Sequence, residues 1–366
     1  MKTLSLLALL LAAATARASD SAGLKDLFKD DFLVGAALNQ RQFEERDPRV
    51  SELILHQFNS ITAENNLKWG RIHPRPDAFD FQAGDAYVAY GEKHHMVIIG
   101  HNLIWHNQTP DWVFHDEQGN LLGRDALLAR MREHIRMVVG RYRGRIHGWD
   151  VVNEALADDG TLRQSMWYKI IGPDYIEQAF RLAHEADPAA ELYYNDFSLE
   201  RPEKRKGAVE LVKRLQVAGV PITAIGMQCH NRMNWPSLTD EEATIQTFAA
   251  LGIKVMVTEL DIDMLPPAVK DPTAEVSLKP MDYDPKIDPW RDGLSDDAAQ
   301  AEAKRYGELF ALFRKYRGTI TRVTFWNVTD GDTWLNGWPM QGRHNYPLLF
   351  DRDGKPKPAY DAVVKP

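Results

Sequence analysis

Two glutamates in this chain stand where a carboxylate is costly. Glu154 closes the run Trp149-Asp150-Val151-Val152-Asn153, and Glu259 closes Lys254-Val255-Met256-Val257-Thr258. Both runs read as buried strands, where an unpaired carboxylate costs several kcal/mol. Two such acids facing each other across a tryptophan-walled cleft are the equipment of glycoside hydrolysis. One is protonated and donates to the leaving oxygen, while the other is ionised and attacks or stabilises the anomeric carbon. Gln228 and His230 are two residues apart, as are Glu259 and Asp261, so strand alternation puts each pair on one face. His230 is then placed beside Glu259 to hold it ionised, with Asp261 orienting the imidazole. Cys229 faces the opposite way, towards a helix layer, as a packing residue rather than a nucleophile.

Such groups need elements that bring them together. Eight apolar runs read as strands: 32–38, 60–64, 96–101, 146–154, 191–196, 222–230, 254–262 and 322–328. Several are nearly continuous in Val, Ile, Met and aromatic residues, as parallel strands covered on both faces are. Amphipathic helices alternate with them. Ile176, Ala179, Phe180 and Ala183 follow a candidate cap at Asp174. Ala208, Leu211, Val212 and Leu215 repeat the spacing before Gly219, as do Tyr306, Leu309, Phe310 and Phe313. Eight strand–helix units predict an α/β fold, a single-domain (β/α)8 TIM barrel. An open doubly wound sheet is the runner-up, disfavoured because no G-x-G-x-x-G follows the first strand.

In a barrel, the C-terminal strand ends meet around one cleft. Here they carry Glu64, Asn65 and Lys68, then His101, Trp105 and Gln108, then Asn153 and Glu154. Asn195 and Asp196, Gln228 and His230, Glu259 and Asp261, and finally Trp326 and Trp334 complete the circuit. The run 264–294 after the seventh strand holds six prolines and reads as an ordered rim loop on the same face. Its Asp282, Asp284, Asp288 and Asp292 lack the spacing of a calcium loop.

With 366 residues the chain is long enough for a large core, and its net charge of −8 lacks the basic footprint of a nucleic-acid binder. One cysteine allows no intrachain disulfide. Residues 1–18 stand apart: Lys2, an apolar run too short to span a bilayer, then Ala16-Arg17-Ala18. This reads as a signal peptide cut before Ser19, leaving 19–366 as an exported catalytic domain, periplasmic or extracellular, with no stable membrane association. No H-E-x-x-H and no paired cysteines suggest a metal centre.

The motifs "TAENNLKW" (62–69), "GHNLIWHNQTPDW" (100–112), "WDVVNEA" (149–155), "YYNDF" (193–197), "GMQCH" (226–230), "VTELDI" (257–262) and "TFWNVTDGDTWL" (324–335) occur in the order seen in glycoside hydrolase family 10, the endo-β-1,4-xylanases. The resemblance covers nearly all of the mature chain. It implies cleavage of internal xylan bonds with retention of configuration, without metal or other cofactor and without a protein partner. It implies Glu154 as general acid/base, Glu259 as nucleophile, His230 and Asp261 as its supports, and Asn153 as the group that bonds the sugar 2-hydroxyl. Glu64, Asn65, Lys68, His101, Trp105 and Gln108 match the non-reducing-side subsites, Gln228 belongs to the G-x-Q-x-H strand, and Trp326 and Trp334 match aromatic walls. Asn102 stands where Thr is more usual, and Asn327 where Gly is common. A cellulase-like β-glycanase, a non-catalytic glycan-binding barrel and a metal hydrolase remain as rival readings.

Overall fold

Eight apolar runs pair side by side, all parallel, and the last closes on the first. The computed structural model describes residues 22–268, 274–276 and 280–365, so the N-terminal segment read as a signal peptide and parts of the 264–294 loop lie outside the described residues. The strands are β1 (Leu33–Leu38), β2 (Ser60–Ala63), β3 (Val97–Ile104), β4 (Gly148–Asn153), β5 (Glu191–Asp196), β6 (Ala224–Met227), β7 (His230–Arg232), β8 (Lys254–Asp263) and β9 (Ile320–Phe325). The ring runs β1 to β6 in order, then β8 and β9, and β9 pairs back to β1. The three-residue β7 lies outside the ring, paired to the far end of β8. Helices follow each ring strand, among them Pro48–Gln57, Gln82–Lys93, Arg124–Arg141, Tyr175–Ala186, Pro202–Val217, Leu238–Ala249, Asp296–Lys315 and Pro358–Val364. The fold is the expected (β/α)8 barrel.

The core divides as the barrel requires. Most buried apolar side chains lie between strands and helices, including every position of the three helical patterns read from the sequence. A small separate cluster of Ile99, Tyr193, Ala224 and Met256 fills the barrel interior. Towards the C-terminal strand ends the interior turns polar, with Thr62, His101, Asp150, Asn153, Asn195 and Thr258 all buried.

Three expectations change. The run 222–230 is not one strand: it breaks after Met227, Cys229 takes a left-handed φ of 57°, and His230 resumes pairing one step further out. Strand β3 runs on to Ile104, through a register irregularity against β4. Asp174 begins its helix but gives it no side-chain cap, because Arg124 takes its carboxylate in a two-pronged ion pair. Among the described residues no helix is long and apolar enough to cross a membrane.

Candidate active site

Six of the eight ring strands, all but β1 and β5, lead into side chains that line the same cavity, about 170 Å³ in volume. Its walls carry Glu64, Asn65, Lys68, His101, Trp105, Gln108, Asn153, Glu154, Gln228, His230, Glu259, Trp326 and Trp334. Of the residues named from the sequence, three do not line it: Asp261 stands behind His230 in the wall of an adjoining cavity, Asn195 reaches Glu259 without lining the space, and Asp196 turns its carboxylate to Lys204 Nζ at 2.9 Å.

The carboxylate of Glu154 is 5 % exposed and held on both sides. Trp105 Nε1 donates to Oε2 at 2.7 Å, while Gln228 Nε2 and Asn153 Nδ2 donate to Oε1 at 3.0 and 3.1 Å. Burial nevertheless dominates and pushes its pKa above the usual carboxylate range. His106 and Gln228 oppose that shift, and the charges of Asp196 and Glu259 add to it.

Glu259, equally buried, goes the other way. Burial is again the largest influence, but His230 Nε2 at 3.2 Å, the nearby His101 and Asn195 Nδ2 at 2.7 Å together bring its pKa below the ordinary value. His230 also meets Asp261 Oδ1 at 3.0 Å through Nδ1, and Trp334 Nε1 donates to Asp261 Oδ2 at 2.8 Å. Burial disfavours the imidazolium, but Asp261 and Glu259 outweigh it and push the pKa of His230 up to about 10. The alternation argument for Gln228 and His230 thus reaches the right cavity for a different reason. The left-handed turn at Cys229, not an unbroken strand, returns His230 to the cleft.

Asn195 was legible as a polar strand end, but its role was not. Its Nδ2 donates to both Asn153 Oδ1, at 2.9 Å, and Glu259 Oε1, while its Oδ1 accepts from Thr258 Oγ1 at 2.6 Å. Asn153 and Asn195 thereby link the two carboxylates through a pair of amides. His101 is set by Asp150, whose Oδ2 lies 2.9 Å from Nδ1, and packs edge-on to Trp326. Lys68 bonds Asn65 Oδ1 at 2.9 Å and lies over the Trp105 ring. Its pKa is lowered by burial, whereas burial raises that of Glu64.

The two departures from the usual motif find local accounts. Asn327 has φ 94°, a backbone conformation that glycine enters freely and asparagine tolerates better than most residues. Asn102 is buried with its amide 3.4 Å from His101 Nε2. Cys229 does face the helix layer, with Sγ 3.8 Å from both Glu200 and Glu241, and burial holds its thiol well above its ordinary pKa. In the rim loop Asp288 accepts from Tyr283 Oη at 2.8 Å and from the His344 backbone at 3.0 Å, and Asp284 accepts from Lys286 N at 3.0 Å. Ala274 and Val276 of that loop reach the catalytic cavity, a contact no periodicity in the sequence could reveal.

A paired acid and carboxylate in one tryptophan-walled cavity can deliver a proton and a nucleophile to opposite ends of one bond. The profile of glycosyl hydrolase family 10 matches residues 23–366. The chain is 46% identical over 359 residues to endo-1,4-beta-xylanase A of Xylanibacter ruminicola, covering 98% of this chain and 97% of that one. A GH10 endoxylanase retrieved from a sugarcane soil metagenome superposes with a TM-score of 0.91 at 46% identity, covering 93% of this chain and 99% of that one. The intracellular xylanase TsXylA of Thermoanaerobacterium saccharolyticum, as a glutamate-to-alanine mutant in complex with xylotriose, superposes at 0.81 with 38% identity, over 94% and 98% of the two chains.

Proposed function

The chain belongs to glycosyl hydrolase family 10, and on that footing we propose that its cleft hydrolyses internal β-1,4-xylosidic bonds of xylan with retention of configuration, Glu259 acting as nucleophile and Glu154 as acid and then base. The observation that carries the assignment is the different set of partners around two buried glutamates, His230 and Asn195 on Glu259 against Trp105 and Gln228 on Glu154, with pKa directions that follow from it. The carboxylate stabilised as an anion is suited to attack, and the one held up by burial is suited to donate.

In the first step Glu259 attacks the anomeric carbon while Glu154 protonates the departing oxygen, which requires carboxyl groups about 5–5.5 Å apart with no water between them. Glu259 is then an ester and its charge is gone. That charge is one of the influences raising the pKa of Glu154, so Glu154 now loses its proton more readily and deprotonates the incoming water. In this reading Asn153 bonds the sugar 2-hydroxyl, and its tie to Asn195 couples that contact to the nucleophile. Trp326 and Trp334 offer flat faces to the pyranose rings.

The test is reducing-sugar release from soluble β-1,4-xylan, with β-1,4-glucan alongside. Wild type releases sugar from xylan and Glu259→Ala does not. Glu154→Ala loses roughly 10²–10⁴-fold on xylan, and far less on aryl xylosides whose leaving groups need no proton. Equal losses on both substrates would contradict the acid/base assignment, and preference for the glucan would contradict the substrate. The N-terminal eighteen residues support export of this activity to a polymer outside the cell, and an exported protein beginning at Ser19 is the expected result of N-terminal sequencing.

A further inference from the structure

His230 reaches Glu259 from a strained piece of chain. The residue before it, Cys229, has φ 57°, a left-handed conformation that a non-glycine residue keeps only where its surroundings fix it several times over. On the cleft side the ties run to β8: Glu259 N donates to Gln228 O at 2.9 Å, and Asp261 N to Cys229 O at 3.4 Å. On the far side they converge on Glu241, in the first turn of the helix Leu238–Ala249. Asn231 Nδ2 donates to Glu241 Oε1 at 2.8 Å, and Cys229 Sγ lies 3.8 Å from Glu241 Oε2. The two oxygens of one carboxyl thus engage the residues immediately before and after His230.

Glu241, Asn231 and Cys229 are all buried, Glu241 completely. A carboxyl in that position costs more than an apolar side chain of similar volume, so filling space does not account for it. The groups facing it are Glu200 from the segment after β5, Cys229 and Asn231 from the turn itself, and Arg305 from the helix Asp296–Lys315. Arg305 places its Nη2 on the Pro236 carbonyl, at 2.5 Å. Burial and the neighbouring Glu200 push the pKa of Glu241 up to about 8, so at neutral pH it is mainly an uncharged acid. What it offers the turn is hydrogen bonding rather than charge.

We propose that Glu241 is a positioning residue for the nucleophile: by bonding the residues on either side of His230, it fixes the left-handed turn that aims the imidazole at Glu259. It touches neither substrate nor Glu259 and acts only through His230, whose Nε2 lies 3.2 Å from Glu259 Oε2. Without it the turn is tied on the β8 side alone and relaxes, the imidazole drifts, and Glu259 loses part of what keeps it ionised. This rests on the xylan-cleaving reading above, and its test separates the two.

The experiment measures pH profiles of kcat/KM on soluble xylan, with melting temperatures, for wild type, Glu241→Leu, Glu241→Gln and Asn231→Ala. Glu241→Leu keeps the volume and removes both bonds, and Asn231→Ala breaks the shorter one from the strand side should the first variant fail to fold. Both move the acid limb up by about 0.5–1 pH unit and lower kcat by about tenfold, with KM little changed. Glu241→Gln still accepts from Asn231 and keeps the acid limb of wild type. A lower melting temperature with the acid limb unmoved in both disrupting variants would mark a merely structural residue and overturn the proposal. A shift in Glu241→Gln as large as in Glu241→Leu would overturn it too, since the bond to Asn231 would then not be what positions His230. Folded wild type that leaves xylan intact would instead overturn the reading on which the proposal rests.

Discussion

At Glu154 the chain leaves β4 in a left-handed conformation, φ 55°, which costs a non-glycine residue on the order of 1–3 kcal/mol. The turn persists because it is fixed several times over. Glu154 N donates to Asn195 O at 2.8 Å, Ala155 N to Tyr194 Oη at 3.1 Å, and Arg163 Nε to Glu154 O at 3.1 Å. The gain is direction, since the side chain leaves the strand pointing into the cleft beside Trp105 and Gln228. Glu259 needs no such turn and depends instead on its partners. Replacing His230 by Gln removes a cation and leaves Asp261 uncompensated, and both changes disfavour ionised Glu259. The acid limb of the kcat/KM profile on xylan, whose leaving group needs the proton of Glu154, therefore moves up by about 1 to 3 pH units, while the basic limb, set by Glu154, stays nearer its place. A stationary acid limb would show that Glu259 is held ionised by something other than His230.

At the scale of elements, the strands position these groups because their backbones approach closely where side chains are absent. A Cβ built on Gly226 of β6 would lie 2.3 Å from Asn195 Oδ1 and 2.9 Å from Thr258 Cγ2, the two groups that lock the amide bridge to Glu259. Gly226→Ala is expected to cost about 1–3 kcal/mol of stability and, by tilting Asn195, to lower kcat more than it raises KM. A melting temperature and kcat both equal to wild type would contradict this account of the bridge. The strands themselves were legible because parallel strands covered on both faces read as unbroken apolar runs, and a run that stops on Asn153-Glu154 or Thr258-Glu259 announces a strand end. The break at Cys229 was not, since the residue that takes the left-handed φ is a cysteine, not one of the glycines or asparagines that favour it. Nor was the reach of Ala274 and Val276 into the cavity, because a proline-rich loop has no period from which to infer direction. Asn195 lay between these cases: its place was readable, but its partners come from β4 and β8 and exist only once the barrel has closed.

For the molecule as a whole, several carboxyls not facing the cleft are buried away from water. Glu241 lies against Glu200 and Cys229, with their polar atoms within 4.8 Å of one another, and burial together with the neighbouring Glu200 pushes its pKa up to about 8. Glu302, raised by burial to about 8 despite its 2.8 Å bond to Lys357, belongs to the staple that fixes the C-terminal segment to the last two helices. Both pKa values lie above the unfolded one, so the folded state holds protons that the unfolded state has released. Their stabilisation is complete below about pH 4.5 and is lost as pH rises through about 8. Glu241→Gln removes one of these titrations, at about 1.4 kcal/mol for each pH unit between the two pKa values as an upper limit. The fall in melting temperature between pH 6 and 8.5 is then shallower in the variant than in wild type, and parallel curves would mean that Glu241 does not carry the proton.

The central claim is that Glu259 forms the bond to sugar and Glu154 moves the proton. The most direct measurement is to trap the intermediate with a 2-deoxy-2-fluoro xylobioside bearing a good leaving group, digest the protein, and locate the label by mass spectrometry. The account predicts one xylobiosyl group esterified to Glu259, formed also in Glu154→Ala. A label on Glu154 would contradict it, and so would hydrolysis of xylan by a protein that never becomes labelled.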